Sequence, residues 1–207
     1  MVTEDERKKL LKYGKENAIE SAKVQGAHGK ELSDSRVVKR KQMPVLDKPF
    51  SRSVFFRLRD ITGMDYNYAE QWNYLRYATA GHYSLHHDYV RFLPKNDTFG
   101  NRLATLILYL RTAKSGGSTI FPGLSLNVKG KRGDALLWFN AQPNGLVEQS
   151  TYHGGCPVVN GTKDIISIWI REKAQTFLIK CSAKNEFHFT MDSFSNGALG
   201  RFLKRYY

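Results

Sequence analysis

The chain has 207 residues, of which 41% are hydrophobic and 13% aromatic, and this is enough apolar material for one ordinary folded domain. Charged residues make up 25%, which argues against disorder throughout, and no apolar run approaches the roughly 18 residues of a membrane-spanning helix. The formal charge of +13 would attract an anionic partner, but the basic residues are spread along the chain, so a solvated basic surface is favoured over a nucleic-acid groove.

The first 50 residues are predicted to form an extension of helix and loop ahead of the main domain. A helix over residues 3–24 is indicated by the capping box of Thr3 and Glu6 and by a narrow apolar face. Residues 26–50 read as a loop that could include a short strand. The N-terminal residues lack the apolar stretch of a secretory signal, so we expect either a cytosolic protein or a piece whose targeting segment lies upstream.

A second helix is predicted at Ser51–Thr62, and beyond residue 70 the pattern changes to short strands separated by Gly and Pro turns. Two helices followed by many strands indicate a β-sandwich or barrel buttressed by helices. Residues 182–207 are polar with scattered aromatics and give no assignable pattern. The predicted strands are Glu70–Tyr77, His82–Tyr89, Leu103–Leu110, Ser118–Phe121, Ser125–Val128, Ala135–Phe139, Ser150–His153, Ile165–Arg171 and Thr176–Ile179.

An H-x-D pair lies in the strand predicted at residues 82–89. On a strand, alternate side chains share a face, so His86 and Asp88 point the same way and His87 points the opposite way. His153, at the end of another predicted strand, could supply a third ligand. Two histidines and a carboxylate form the facial triad that holds Fe(II) with open coordination positions. The spacing alone also fits histidines without a metal, or a zinc site.

A lysine follows these candidate ligands at the start of a strand that is otherwise nearly all apolar. If Lys163 projects into a pocket beside the metal, its buried ammonium requires an anion, and the far carboxylate of 2-oxoglutarate would supply one. The alternative is an exposed lysine in a turn. Arg171 is an alternative anchor for the same carboxylate.

Four ordered blocks of the sequence resemble the catalytic domains of prolyl 4-hydroxylases, which are Fe(II)- and 2-oxoglutarate-dependent dioxygenases. The resemblance covers about residues 51–181; one extra residue precedes the glycine of the first block, and residues ahead of 50 match poorly. The blocks are Tyr77–Asp88, Asn101–Leu110, Gly116–Pro122, and His153 through Lys163 with Trp169.

The resemblance implies a mainly β fold with a double-stranded β-helix (jelly-roll) core over residues 51–181, buttressed by N-terminal helices and followed by a C-terminal tail. It also implies roles for single residues. The Fe(II) ligands are His86, Asp88 and His153. Binding of 2-oxoglutarate falls to Lys163, with Tyr77 and Thr119 on the same carboxylate. The peptide groove would include Tyr83, Arg102 and Trp169, and Glu70 is a weaker candidate. For Tyr77, Thr119 and Trp169, ordinary packing inside the fold is the alternative.

The activity implied is hydroxylation of peptidyl proline at C4, in collagen-like sequences, with O2 and 2-oxoglutarate as cosubstrates and L-ascorbate to rescue oxidised iron. A second subunit is a possible partner. A lysyl side chain or a nucleic-acid base remains an alternative substrate, and a non-catalytic binding module remains an alternative function. The resemblance also pairs Cys156 with Cys181 in a disulfide, which would place the protein in the endoplasmic reticulum lumen; two unpaired buried thiols are the alternative.

Overall fold

The computed structural model describes residues 1–16, 20–21, 24–26, 29–31, 34–175 and 188–189. Within these residues there are two α-helices, α1 (Glu4–Lys15) and α2 (Pro49–Thr62). The described strands are β1 (Glu20–Ser21), β2 (Val24–Gly26), β3 (Gly29–Glu31), β4 (Arg36–Val37), β5 (Lys39–Met43), β6 (Trp72–Tyr77), β7 (His82–His86), β8 (Arg102–Arg111), β9 (Ser115–Gly116), β10 (Thr119–Phe121), β11 (Leu126–Val128), β12 (Ala135–Phe139), β13 (His153–Gly155), β14 (Val158–Asn160) and β15 (Lys163–Arg171).

The predicted N-terminal helix begins where expected but ends earlier. Thr3 Oγ1 accepts a hydrogen bond from the Glu6 backbone, and the Glu6 carboxylate accepts one from the Thr3 backbone, so the capping box is present. The prediction of a helix as far as residue 24 is wrong, because α1 ends at Lys15. The Lys41 ammonium donates to the carbonyls of Tyr13 and Glu16, binding the last turn in place of further helix.

Two antiparallel sheets form the body of the molecule and confirm the prediction of a mainly β jelly-roll core. One sheet has the order β1-β5-β6-β15-β8-β12, and the other has the order β11-β10-β13-β7-β4. Short pairs β14-β9 and β2-β3 lie outside them. Strand β15 is an inner strand of the larger sheet, paired with β6 on one side and with β8 on the other.

Because side chains alternate in direction along the strands, the hydrophobic core consists of two clusters. On β8, Leu106, Leu108 and Leu110 join the cluster that packs under α1 and α2. Ile107 and Tyr109, between them in sequence, join a second cluster on the other side of the sheet, which includes Phe121, Trp138 and Ile165. The helices therefore cover one side of the larger sheet, and the second cluster lies between the two main sheets.

Several element boundaries differ from the sequence predictions. A strand predicted at Ser150–His153 is wrong: residues Gln149–Thr151 form a 3-10 turn, and β13 begins only at His153. The Glu148 carboxylate accepts hydrogen bonds from the backbone and hydroxyl of Ser150, which stabilises the turn. Strands β9 and β14 were not predicted, whereas β5 supplies the short strand expected in the N-terminal loop.

The structure does not test three of the sequence predictions. The strand predicted at 176–179 and nearly all of the tail 182–207 lie outside the described residues. The domain limits at residues 50 and 181 stay predictions. In the described part of the chain, no helix is both long and apolar enough to cross a bilayer.

Candidate metal and cosubstrate site

Two histidines and one aspartate converge where two inner strands of the smaller sheet, β7 and β13, meet. His86 ends β7 and His153 begins β13, and the two residues are paired across the antiparallel strands. Asp88 lies just beyond the end of β7, and its two carboxylate oxygens are each 3.6 Å from one histidine Nε2. One ligand atom from each of the three residues lies within 4.8 Å of the others. The structure thus brings together the three residues that the sequence put forward as a metal site.

The predicted strand 82–89 extends beyond the observed one, but the expected directions of its side chains hold. Asp88 sits in a bend after β7 and still turns toward the site, where it is 6% exposed. His87 packs its ring 4.8 Å from that of Tyr152, away from the other two. The bend, and not strand alternation alone, directs the carboxylate inward.

Backbone hydrogen bonds orient both imidazoles. His86 Nδ1 lies 2.8 Å from the carbonyl of Ser84, and His153 Nδ1 lies 2.9 Å from the carbonyl of Thr151. A carbonyl only accepts, so each Nδ1 carries the proton and each Nε2 keeps its lone pair. Both lone pairs are on the side of Asp88, which is the arrangement that a metal-binding histidine requires.

The aspartate is held by a polar chain that the sequence analysis did not identify. Thr105 Oγ1 donates to Asp88 Oδ2 at 2.7 Å, and Asn140 Nδ2 donates to Thr105 Oγ1 at 2.8 Å. All three residues are buried. A signal was present, because Thr105 interrupts the apolar run of β8 and Asn140 is the polar residue that directly follows the apolar strand β12.

The electrostatics favour an ionised Asp88 carboxylate beside a neutral His153 imidazole. Burial opposes ionisation of Asp88, but the hydrogen bond and charge of His86, with the charges of His153 and Arg102, outweigh it and lower the pKa of Asp88. Burial lowers the pKa of His153 to about 4, against the opposing effect of the Asp88 charge. At neutral pH the site therefore offers one anionic oxygen ligand and an uncharged nitrogen ligand at His153.

This donor set fits ferrous iron. Two imidazole nitrogens and one carboxylate on one side of a metal leave the opposite coordination positions for small ligands. The fixed Nδ1 protons and the hydrogen-bonded carboxylate supply the outer contacts that orient such ligands.

Lys163 lies in the same cavity, buried at 4% exposure. Its Nζ donates to Thr119 Oγ1 at 3.3 Å and lies 5.4 Å and 5.9 Å from the ring centroids of Tyr77 and Tyr109. Among the described residues no carboxylate forms an ion pair with it. Burial lowers the pKa of Lys163 to about 8, with the nearby Cys156 opposing. A buried ammonium in this setting is a site for an external anion.

Tyr109 was missed by the sequence analysis, and Arg171 does not serve as the alternative anchor. The Tyr109 hydroxyl is 3.3 Å from Thr119 Oγ1, so the threonine connects the tyrosine to Lys163. Arg171 instead donates to the Gly100 carbonyl and pairs with Glu70. Lys163 is thus the better placed of the two cations for an anion in this cavity.

The residues predicted for a peptide groove lie beside the histidines. The Tyr83 ring stacks on that of His86 at 3.7 Å, and both Tyr83 and Trp169 line the cavity. The Arg102 guanidinium lies 3.8 Å above the Trp169 ring and makes two hydrogen bonds to Glu70. The indole nitrogen of Trp169 is buried without a hydrogen-bond partner among the described residues. The structure brings the predicted residues together; their roles in binding a peptide stay predictions.

The expected disulfide falls outside what the structure describes. Cys156 is half-buried directly after β13. Cys181, its expected partner, is not among the described residues.

Comparison with known proteins gives a family and a fold. Residues 72–171 match the model of the 2OG-Fe(II) oxygenase superfamily. Prolyl 4-hydroxylase subunit alpha-1 of Gallus gallus is 34% identical over 152 residues, which cover 71% of this chain and 29% of that protein. Prolyl 4-hydroxylase subunit alpha-3 of Homo sapiens is 36% identical over 136 residues, covering 63% and 25%. The chain therefore spans less than a third of the length of these relatives.

Among solved structures, a viral collagen prolyl hydroxylase from Paramecium bursaria Chlorella virus-1, in complex with 2OG, superposes with a TM-score of 0.63. The alignment is 22% identical and covers 82% of this chain and 91% of the viral one. At this identity the likeness establishes the shared fold.

Proposed function

Residues 72–171 are a domain of the 2OG-Fe(II) oxygenase superfamily, and from that premise we propose that the chain hydroxylates peptidyl proline at C4. The single observation that carries the proposal is the joint placement of His86, Asp88, His153 and the buried Lys163 in one cavity. The names of the curated relatives support proline as the substrate side chain.

Each catalytic role follows from a contact already described. Bound iron, with 2-oxoglutarate as reductant and O2 as oxidant, would supply the oxidising chemistry for which amino-acid side chains are unsuited. His86 and His153 present their Nε2 lone pairs, and Asp88 adds the negative charge that offsets part of the metal's own. The polar chain behind Asp88 keeps the carboxylate from turning away.

The cosubstrate would be oriented by the far end of the cavity. Lys163 and Thr119 hold the distal carboxylate of 2-oxoglutarate, and Tyr77 adds its hydroxyl to the same group. The ammonium is buried against the Tyr77 and Tyr109 rings, so water competes weakly for the anion. This arrangement fixes one end of a dicarboxylate while leaving its keto-acid end to the metal.

The peptide would bind across the outer side of the triad. Tyr83 and Trp169 line the cavity and give a proline ring an aromatic wall, in which the Tyr83 ring is held between His86 and the Arg36 guanidinium, 4.4 Å from its centroid. Arg102 is held over the Trp169 ring by Glu70, so this wall is already in place before substrate arrives. Proline-rich, collagen-like peptides are the proposed substrate class.

Further features extend the proposal beyond the domain. L-ascorbate would return oxidised iron to the ferrous state between turnovers. A disulfide between Cys156 and Cys181 and a location in the endoplasmic reticulum lumen follow from the likeness to collagen-modifying hydroxylases. A second subunit is proposed on the same ground, since the curated relatives bear the names of subunits.

The decisive experiment is mass spectrometry of a proline-rich, collagen-like peptide after incubation with the protein, Fe(II), 2-oxoglutarate and ascorbate. We expect one added oxygen atom on proline and a matching release of succinate. A lysine-containing peptide and a single-stranded oligonucleotide serve as competing substrates. Oxidation of either in place of the proline peptide would overturn the substrate, and succinate formation in no arm would overturn the enzymatic function.

A further inference from the structure

A second concave surface lies on the opposite side of the larger sheet from the candidate site. Lys163 and Asp164 are adjacent on β15 and therefore point to opposite sides; Asp164 pairs with Arg111 on the side covered by α1. There a groove of about 570 Å³ opens between α1 and the ends of the neighbouring strands. We call it the basic groove; it is lined by Arg7, Lys8, Leu11, Lys12, Lys15, Glu16, Arg111 and Arg132.

The charge of the basic groove is strongly one-sided. Six of its eight lining residues are cationic and one, Glu16, is anionic. Lys8 and Lys12 have only long contacts with carboxylates, 4.0 Å to Glu4 and 3.9 Å to Glu16, in exposed positions where such pairs contribute little. In the described part of the chain neither Lys15 nor Arg132 forms an ion pair. Most of the positive charge is therefore left for an external anion.

The floor of the basic groove is held by hydrogen bonds and ion pairs, whereas its rim consists of long, exposed lysine side chains. Arg111 is fixed by its ion pair with Asp164 at 3.3 Å and by donation to Thr162 Oγ1 at 3.1 Å. Arg7 is held by the Leu110 carbonyl and by Glu4. Long lysine side chains from α1 stand around this fixed floor. A fixed floor lowers the entropy lost on binding, and flexible lysines adapt to the ligand.

The lysines form a row with a defined spacing. Lys8, Lys12 and Lys15 follow each other at helical intervals of four and three residues, so they share one face of α1, with neighbouring Cβ atoms roughly 5–6 Å apart. In an extended peptide, alternate side chains point the same way and are roughly 7 Å apart. Flexible four-carbon lysine side chains can bridge the difference of an ångström or two between these spacings, so the row can pair with carboxylates at alternate positions of an extended chain.

We propose that the basic groove binds an extended acidic segment of another protein, with glutamate or aspartate at alternate positions. Charge complementarity carries the proposal: besides Arg7 and Arg111, which are paired with Glu4 and Asp164, four cations of the basic groove face one carboxylate, on a face remote from the metal ligands. Glu16 provides an acceptor for the backbone N–H groups of such a segment. A nucleic acid offers fewer donors to that carboxylate, and among the residues that the structure describes no aromatic side chain lines the groove for base stacking.

The test is direct binding of a fluorescein-labelled peptide of about ten residues, in which glutamate alternates with serine to match the spacing of the lysine row. Fluorescence anisotropy is read for the full chain and for the triple variant with Lys8, Lys12 and Lys15 changed to Gln. We expect affinity to fall by about tenfold or more in the variant, and to fall with added salt in the original protein. Neither metal nor cosubstrate is needed, so the outcome is independent of the catalytic proposal.

The matched control removes the same number of charges elsewhere. Lys9 lies outside the lysine row of α1, and Lys48 and Lys129 are exposed on other segments; all three are changed to Gln. Affinity close to that of the original protein is expected for this control, and circular dichroism melting verifies that both triple variants fold. An equal loss in the two variants would show diffuse attraction and overturn the proposal. Tighter, groove-dependent binding of an oligonucleotide of equal charge would overturn the choice of a peptide.

Discussion

Lys163 and Asp164 are neighbours on β15, both are buried, and they carry opposite charges to opposite sides of the same sheet. Asp164 has its partners in place: the Tyr74 hydroxyl donates to it at 2.5 Å, and Arg111 forms an ion pair at 3.3 Å. Lys163 has a single hydrogen bond, to Thr119, and no carboxylate partner among the described residues.

The contrast distinguishes a buried charge that stabilises the fold from a buried charge that binds a ligand. Burying an ion costs free energy unless the ion is paired, and Asp164 has partners for its charge within the chain. Lys163 has no such partner among the described residues, and a buried unpaired ammonium is tolerable only where an anion binds from outside. The metal triad lies on this second side of the sheet.

The largest expected effect comes from removing the carboxylate of the triad. We expect Asp88→Ala to lower succinate release by more than about 100-fold, because even outer contacts of metal ligands contribute 10- to 100-fold. Iron affinity, measured by titrating the protein with Fe(II), should weaken in parallel. Retention of full turnover by the variant would remove Asp88 from the metal site.

The next effect concerns the unpaired lysine. Lys163→Met should raise the concentration of 2-oxoglutarate for half-maximal turnover by about 10- to 100-fold, since a hydrogen bond to a charged group contributes about 1.5–3 kcal/mol. Iron affinity should stay as it was, because Lys163 is not a ligand. A variant with the original requirement for 2-oxoglutarate would contradict the role assigned to Lys163.

The comparison of Lys163 with Asp164 predicts that substituting them has opposite effects on the free energy of unfolding. Asp164→Ala should lower the free energy of unfolding by about 1–3 kcal/mol, because the buried Tyr74 hydroxyl loses its acceptor. Lys163→Met should leave the metal-free protein equally stable or more stable, since an unpaired buried charge is replaced by an apolar chain. Urea unfolding without metal or cosubstrate measures both, and a larger loss for the lysine variant would reverse the contrast.

The smallest expected effect is a pH dependence of cosubstrate binding. The folded pKa of Lys163 is lowered from 10.5 to about 8, so the ammonium that pairs with a carboxylate is lost as pH rises through 8. Affinity for 2-oxoglutarate should therefore weaken about tenfold per pH unit above that value. In the metal-free protein the unfolded state binds more protons between pH 8 and 10.5, so this group makes stability rise with pH there.

A Lys163→Arg variant sharpens that measurement. Guanidinium stays charged over the whole range, so binding of 2-oxoglutarate by this variant should not share the decline above pH 8. Calorimetric titration at several pH values gives the comparison. The same decline in both proteins would assign it to another group.

Local patterns predicted much of the fold, because they reflect local physics. The capping box of Thr3 and Glu6, the stop at Gly63 and the strand Ala135–Phe139 all depend on near neighbours in sequence. The end of α1 and the strands β9 and β14 depend on distant partners instead. Lys41 binds the last turn of α1, and β14 exists only through its pairing with β9. A single sequence does not reveal such contacts.

The candidate site shows the same division. His86, Asp88, His153 and Lys163 were put forward from spacing and resemblance, and the structure places them around one cavity. The Thr105–Asn140 chain behind Asp88 was not predicted, because it joins a residue of β8 to the residue that follows β12, and these two strands are neighbours only after folding.

The pairing of His86 with His153 across β7 and β13 makes metal binding a matter of strand register. A shift of one residue would turn the histidine of β13 to the other side of the sheet, whereas a longer or shorter connecting loop would leave the pairing intact. The loop at residues 90–100 can therefore diverge in length and composition among descendants of this protein. Such changes would leave the register that pairs the two histidines unchanged.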